Sequence, residues 1–141
     1  MSLTQKLGAL CSTEGIPSKD AEDFVRECLD LWVREKDPVA AFCLACLLEW
    51  HGTQVGQELF EARGLIPNPK DFNAEAFNRF KELAEAGSSE AARYVALFYQ
   101  GGTYPVEADL HEVRKWLIRA LELGDTSVRA ELDYVERRLR E

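Results

Sequence analysis

Three positions along this chain combine a predicted helix end with a residue suited to starting the next helix. Aspartate and serine cap helix starts because their side-chain oxygens accept a hydrogen bond from a first-turn amide. Glycine readily adopts the left-handed conformation that ends a helix. The pairs are Lys36 with Asp37, Gly87 with Ser88, and Gly124 with Asp125. Their recurrence predicts stacked helical hairpins, each burying a face that it cannot bury alone.

The helices on either side of these pairs share apolar residues at helical spacing. Helices that follow a pair have Ala40 and Leu44, Ala91 and Val95, or Val128 and Leu132 at equivalent positions. Helices that precede a pair have a second set: Val25, Leu29, Trp32 and Val33; Ala76, Phe80, Leu83 and Ala84; Val113, Leu117, Ala120 and Leu121. The stretch between the first two pairs is longer than that between the last two, which indicates an insertion over residues 52–71.

We therefore predict an all-α fold, a short solenoid of about seven helices forming one domain over residues 1–141. N-terminal capping helices occupy residues 1–36, and the first repeat occupies residues 37–87. The second repeat is residues 88–124, and a C-terminal capping helix is residues 125–141. The insertion is interpreted either as a hydrophobic plug for the end of the array or as a loop with the protein's particular function. A short helix is predicted within it, from Gln57 to Arg63.

One stretch of the chain has a fuller pattern of small, apolar and turn residues. Its positions are Ala91, Val95, Ala96, Tyr99, Gly102, Asp109, Val113, Trp116, Ala120, Leu121 and Gly124. This pattern resembles the Sel-one-like repeat, a relative of the tetratricopeptide repeat, although Ala96 replaces a close-packing glycine and Leu121 replaces an alanine. The resemblance implies a right-handed α/α solenoid and an adaptor that holds a protein or peptide partner on a concave helical surface. Some bacterial members of that family act as immunity partners of secreted toxins.

Residues on the outer side of the helices that follow each pair are the candidates for partner contact. A helical wheel places them on the face turned away from the paired helix. The predicted partner-binding residues are Phe42, Trp50, Arg93, Tyr94, Leu97, Tyr134 and Arg138. Ala130 and Glu131 share that face in the last helix. For Arg93 and Tyr94, a solvated helix face is an equal alternative.

The predicted helix over residues 37–52 is apolar nearly all round, so both of its sides need cover. The N-terminal helix or the insertion is one source of that cover. A partner or a second copy of the chain, giving a homodimer, is the other source.

No motif in the sequence points to a catalytic residue or a cofactor. A phosphate-binding glycine loop and a nucleophile elbow are both absent. Cys43 and Cys46 form a Cys-x-x-Cys motif, and with Cys28 and His51 they could be imagined as zinc ligands. Because the motif lies in the middle of an apolar helix, we interpret its cysteines as core residues. A metal-binding or enzymatic site around Cys43, Cys46 and His51 is the alternative.

Charge and composition narrow the class of partner. The net charge of −8 disfavours nucleic acid and anionic membranes, and no apolar run is long enough to span a bilayer. The first residues lack the features of a secretion signal, and four cysteines are too few for a disulfide scaffold. These features are consistent with a cytoplasmic protein, and the resemblance to the Sel-one-like repeat implies a bacterial, non-catalytic adaptor that binds a protein or peptide. An immunity or inhibitor protein that neutralises a toxin or effector is the alternative.

Overall fold

The computed structural model describes residues 2–11 and 18–141 of the chain. Those residues form eight α-helices, one 3₁₀ turn and no strand, so the all-α prediction is confirmed. In chain order the helices are α1 (Leu3–Cys11), α2 (Ser18–Glu35), α3 (Pro38–His51), α4 (Gln57–Glu61), α5 (Pro69–Glu85), α6 (Ser89–Gly101), α7 (Leu110–Glu122) and α8 (Arg129–Leu139). The 3₁₀ turn, Thr126–Val128, leads directly into α8. The short α4 lies in the predicted insertion and accounts for the one helix beyond the expected number.

Contacts between residues divide the chain into two compact units. Unit 1 is Met1–Ala76 and unit 2 is Phe77–Glu141, so the division falls inside α5. Each unit buries its own apolar side chains, including Trp32 in unit 1 and Trp116 in unit 2. None of the described helices has the length and apolar character needed to cross a membrane.

The predicted helix ends and helix starts are confirmed at all three pairs. Backbone φ is positive at the ending residues: 53° at Lys36, 116° at Gly87 and 106° at Gly124. The residues that follow, Asp37, Ser88 and Asp125, each accept a hydrogen bond of 2.9–3.1 Å from a first-turn amide. The third start differs from the others because the 3₁₀ turn precedes its α-helix.

The shared apolar positions are buried except for Leu83 and Leu121, which are half-buried, and Val33, which is exposed. After the three pairs, Ala40, Leu44, Ala91, Val95, Val128 and Leu132 are all buried. In the preceding helices the exposed residue is Val33, whose exposed fraction is 48%. Trp32 takes the core position in the last turn of α2, and Val33 is turned about 100° further round the helix, toward solvent. The prediction that Val33 joins the core was wrong.

In unit 1 the apolar helix α3 is covered by other helices of the same chain. Both α1 and α2 pack against α3, and α1 also contacts α2. The burial is extensive because α3 is apolar nearly all round: Pro38, Ala40, Ala41, Cys43, Leu44, Ala45, Leu47 and Leu48 are buried. Cover for α3 therefore comes from within unit 1. The N-terminal helix α1 supplies part of it, as one of the two alternatives predicted.

The insertion is part of the core of unit 1. Phe60 of α4 is fully buried and meets Phe72 of α5 edge-on, with ring centroids 5.7 Å apart. Arg63, just after α4, donates a 2.7 Å hydrogen bond to Asp30 of α2. An aromatic anchor and an ion pair thus hold the insertion against neighbouring helices.

In unit 2, α7 is the central helix and packs against both α6 and α8. The end of α5 contributes Phe77 and Phe80, whose rings lie against Phe98 of α6. Arg119 of α7 donates hydrogen bonds to the backbone carbonyl of Ala84 at the end of α5. Unit 2 therefore forms a packed set of helices around α7.

Candidate partner-binding groove

An open groove runs between α6 and α8 along the surface of α7. Its volume is about 260 Å³. The residues that line it define what we call the α6–α8 groove: Gln100 of α6, Val113 and Leu117 of α7, and Ala130, Glu131, Tyr134 and Val135 of α8. Most of these side chains are apolar, so the groove offers a surface that water solvates poorly.

The floor of the groove follows from the apolar register of α7. Val113 and Leu117 are four residues apart, so they lie on one face of the helix, and both are buried. Val135 adds a third buried apolar side chain from α8. Ala130 leaves space above this floor because its side chain is a single methyl group. A small exposed residue thus lies beside three larger buried ones in the lining of the groove.

The two walls of the groove are fixed at one end by an ion pair. Arg93 of α6 lies 3.5 Å from Asp125, the cap before α8, measured from Nε to Oδ2. Further along, Gln100 and Tyr134 line the same groove. Because the start of α6 lies beside the start of α8 and the end of α6 shares the groove with Tyr134, α6 and α8 run in the same direction along α7.

A second ion pair ties the floor to the α8 wall. Arg114 of α7 lies 3.3 Å from Glu136 of α8, measured from Nε to Oε1. The Asp125 cap is itself held by the Ser127 hydroxyl, which donates to its carboxylate. This hydrogen bond is the largest cause of the lowered pKa of Asp125, and the charge of Arg93 acts in the same direction. The carboxylate is thus stabilised in the ionised form that Arg93 needs.

Two exposed apolar side chains lie on α6 and α8, the helices that form the groove walls. Leu97 lies one helical turn before Gln100 on α6, and its exposed fraction is 48%. Tyr134 of α8 is exposed to the same extent. The Tyr134 hydroxyl accepts a 2.9 Å hydrogen bond from Arg138, whose guanidinium lies 5.8 Å from the ring centroid. Arg138 therefore holds Tyr134 in place at the far end of the wall.

The predicted contact residues on α6 and α8 divide into two groups. Tyr134 lines the groove, Arg138 donates a hydrogen bond to it, and Leu97 is exposed one turn before the lining residue Gln100. Arg93 is exposed but is engaged by Asp125. Tyr94 is half-buried and stacks on Phe80 with ring centroids 4.3 Å apart and planes within 7°, so its ring packs within unit 2.

The predicted contact residues on α3 belong to unit 1. Phe42 is half-buried, whereas Trp50, in the last turn of α3, has an exposed fraction of 67%. Neither residue lines the α6–α8 groove. The sequence placed all seven candidates on one kind of helix face, but the structure divides them between two units.

Several groove residues were not predicted as contact residues. Gln100 was not singled out, and Val113 and Leu117 were assigned to the core by their apolar register. That assignment is correct, because both are buried, yet they also form the floor. A helical wheel describes one helix at a time, whereas a groove is a property of three helices. Ala130, a small residue on the outer face of the last helix, is the signal that points toward it.

A larger cleft in unit 1 has a different chemical character. It lies between α2 and the insertion, has a volume of about 570 Å³ and is lined mainly by polar residues. Its walls carry the carboxylates of Glu22, Glu58 and Glu61 and the guanidinium of Arg26. Such a cleft stays well solvated and offers few apolar anchors for a partner.

The cysteine residues on α2 and α3 belong to the core. Cys28 and Cys43 are fully buried, and burial raises the pKa of the Cys28 thiol. Cys46 is half-buried, whereas the side chain of Cys11 lies outside the described residues. His51 is exposed at the end of α3. Within residues 2–11 and 18–141, no three His, Cys, Asp or Glu side chains are grouped so that they could hold a metal ion.

Comparison with known proteins identifies no relative. No family model matches the chain, and neither a curated protein nor a solved structure matches it. The similarity to the Sel-one-like repeat therefore stays a prediction from the residues that carry it.

Proposed function

We propose that the chain is a non-catalytic protein-interaction module that holds a protein or peptide partner in the α6–α8 groove. The observation that carries this proposal is an open groove with an apolar lining, in which Tyr134 is about half exposed, together with the equally exposed Leu97 on the helix that contributes Gln100. Single exposed apolar residues are common on protein surfaces. When they border an apolar groove, they form the kind of surface that a partner buries.

The size of the groove favours a side chain over a free small molecule. Pockets for small molecules usually measure about 300–1,000 Å³ and enclose most of the ligand. The α6–α8 groove is smaller, at about 260 Å³, and is open along its length. It is therefore suited to one or two side chains projecting from a polypeptide.

The groove needs little rearrangement to bind. The Arg93–Asp125 and Arg114–Glu136 ion pairs connect its walls and floor before any partner arrives. A preformed surface loses less conformational entropy on binding than a flexible one. Ordering of the groove therefore adds little to the cost of binding.

The arrangement of unit 2 supports a solenoid of the Sel-one-like kind. The helices α6 and α8, which both follow a capping pair, run in the same direction on either side of α7. That order matches a repeating hairpin in which each new helix is added alongside the last. A cytoplasmic location is part of this proposal, and it is supported by a cysteine content too low for a disulfide scaffold.

Site-specific photo-crosslinking tests the proposal. A benzophenone side chain is placed at position 97 and, as the matched control, at position 33, because Leu97 and Val33 are equally exposed. After irradiation in extract of the source cells, position 97 should label a reproducible partner that position 33 does not label. Adding Tyr134→Ala should reduce the labelling at position 97. Labelling of the same proteins at both positions, or at neither, would contradict the proposal.

A further inference from the structure

Two polar side chains on the walls of the α6–α8 groove make no hydrogen bond or ion pair with the described residues. Gln100 projects from α6 and Glu131 from α8, and both are exposed. An amide on one wall and a carboxylate on the other are therefore available to a molecule lying in the groove.

Three arginines around the groove are paired with carboxylates, whereas the carboxylate of Glu131 is not paired within the part of the chain that the structure describes. Arg93 pairs with Asp125, Arg114 with Glu136, and Arg138 with Glu141, at N–O distances of 3.3–3.5 Å. Each of these arginines is thus already opposed by a carboxylate. Glu131 is a lining residue whose charge is left over, so the groove presents a net negative charge beside its apolar floor.

Resting on the proposed function, we infer that the groove selects a basic polypeptide segment. The segment places an aliphatic or aromatic side chain over Val113 and Leu117 and a lysine or arginine against Glu131. The two side chains lie close in sequence, since Glu131 and the floor share one small groove. Gln100, on the opposite wall, can exchange hydrogen bonds with the peptide backbone of the segment.

The charge of the whole chain favours the same partner. At a net charge of −8, the protein attracts cationic molecules over long range and repels anionic ones. A second copy of this chain bears the same net charge, so self-association at this groove has no such electrostatic support. A separate basic partner fits both the local and the overall charge.

Peptide selection tests this inference. A display library of random dodecapeptides is selected on the immobilised wild-type protein, and the enriched peptides are synthesised for fluorescence anisotropy. We expect an apolar residue with a lysine or arginine within about four positions of it. Glu131→Gln should weaken binding of these peptides roughly three- to fivefold, the size of a partly exposed ion pair. The same loss should follow when the ionic strength rises from about 0.1 M to about 1 M.

Asp133→Asn is the matched control for Glu131→Gln. Asp133 is an exposed carboxylate on the same helix, two residues further on and therefore on the opposite side of α8. It should bind the selected peptides as the wild type does. Charge reversal supplies the second check: Glu131→Lys should lose the basic peptides and bind versions in which glutamate replaces their lysine.

The outcomes separate this inference from the proposed function. Peptides that lose binding on Leu97→Asp but show no basic residue, and that tolerate Glu131→Gln, overturn the inference and leave the interaction module in place. Peptides that bind Leu97→Asp normally, or no enrichment at all, count against both. Self-association of the wild-type protein that Leu97→Asp abolishes, measured by analytical ultracentrifugation, overturns the basic segment as the occupant.

Discussion

Gly56 lies so close to Val25 that a methyl group at position 56 would come within 2.9 Å of the Val25 Cγ1 atom. Gly56 precedes α4, so this contact fixes how the insertion meets α2. The backbone there is also left-handed, with φ of +68°. A side chain is therefore opposed twice at this position, by the backbone conformation and by the neighbouring valine.

Gly56→Ala should lower the free energy of unfolding more than Gly64→Ala does. Gly64 has nearly the same φ, +69°, but nothing lies within 4 Å of a methyl group placed there. Gly64→Ala should therefore cost about 1–2 kcal/mol from backbone strain alone, and Gly56→Ala a further 1–3 kcal/mol from overpacking. Urea denaturation measures both. Equal losses would show that the Val25 contact yields easily.

Lys36 provides a test of the predicted helix-ending position. It is the one described residue other than glycine with positive φ, and it stands where the other two pairs have Gly87 and Gly124. Lys36→Gly should be about 1 kcal/mol more stable than Lys36→Ala, since both remove the ammonium over the Trp32 ring and only alanine keeps the strain. Chemical denaturation of the two variants gives the difference directly. Gly87→Ala should lower the free energy of unfolding by about 1–2 kcal/mol, because alanine introduces the backbone strain that glycine avoids.

Asp125 should make the stability of the chain depend on pH in the acid range. Its pKa is lowered, first by the hydrogen bond from the Ser127 hydroxyl and then by the Ser127 amide and the charge of Arg93. Because the folded-state pKa lies below the unfolded value of about 3.9, this stabilisation is full above that pH and is lost as the pH falls through the folded-state pKa.

Asp125→Asn should therefore be less stable than the wild type near neutral pH, and the difference should shrink as the pH falls below about 3.9. Thermal melts of both proteins at neutral pH and at a pH below about 3.9 give the comparison. Ser127→Ala, which removes the main hydrogen-bond donor, should reduce the pH dependence in the same direction. A difference that stays constant from neutral to acid pH would show that the carboxylate charge contributes nothing.

The buried thiols should be slow to react in the folded protein. Cys28 and Cys43 are fully buried, and burial raises the pKa of Cys28, so little of the reactive thiolate forms. In a Cys11→Ser background, iodoacetamide should modify the half-buried Cys46 before the other two, as followed by mass spectrometry. Modification of Cys28 as fast as Cys46 in the native state would contradict the core assignment.

The metal alternative has a separate measurement. We expect elemental analysis of the purified protein to find no stoichiometric zinc, because the described cysteines and His51 form no group of three ligands. Zinc bound one to one and lost on Cys43→Ser would restore the site around Cys43, Cys46 and His51.

The helix boundaries were predictable because they depend on local chemistry. A cap such as Ser88 needs only its own side chain and the amides of the next turn, so three neighbouring residues suffice to identify it. Lys36 could be recognised as a helix end only by alignment with Gly87 and Gly124, since lysine itself gives no such signal. The insertion was located by the same alignment.

The groove was not predictable in the same way because it depends on packing between helices. Tyr94 and Leu97 appear equivalent on a helical wheel, yet Tyr94 is half-buried by its stacking on Phe80 and Leu97 is exposed. The two residues differ in exposure because α5 packs against Tyr94, and the position of α5 cannot be read from the spacing of residues along α6. The prediction that Val33 joins the core was wrong for a similar reason, since its exposure depends on what the end of α2 packs against.

The placement of the tryptophans makes the protein its own optical reporter. Trp32 and Trp116 are buried, one in each unit, and the Trp116 indole donates a 3.2 Å hydrogen bond to Glu112. Trp50 is largely exposed, so its fluorescence changes least on unfolding. Replacing Trp50 with phenylalanine leaves one shielded fluorophore in each unit. Replacing either of the two remaining tryptophans in turn then lets the loss of structure be timed separately in each unit.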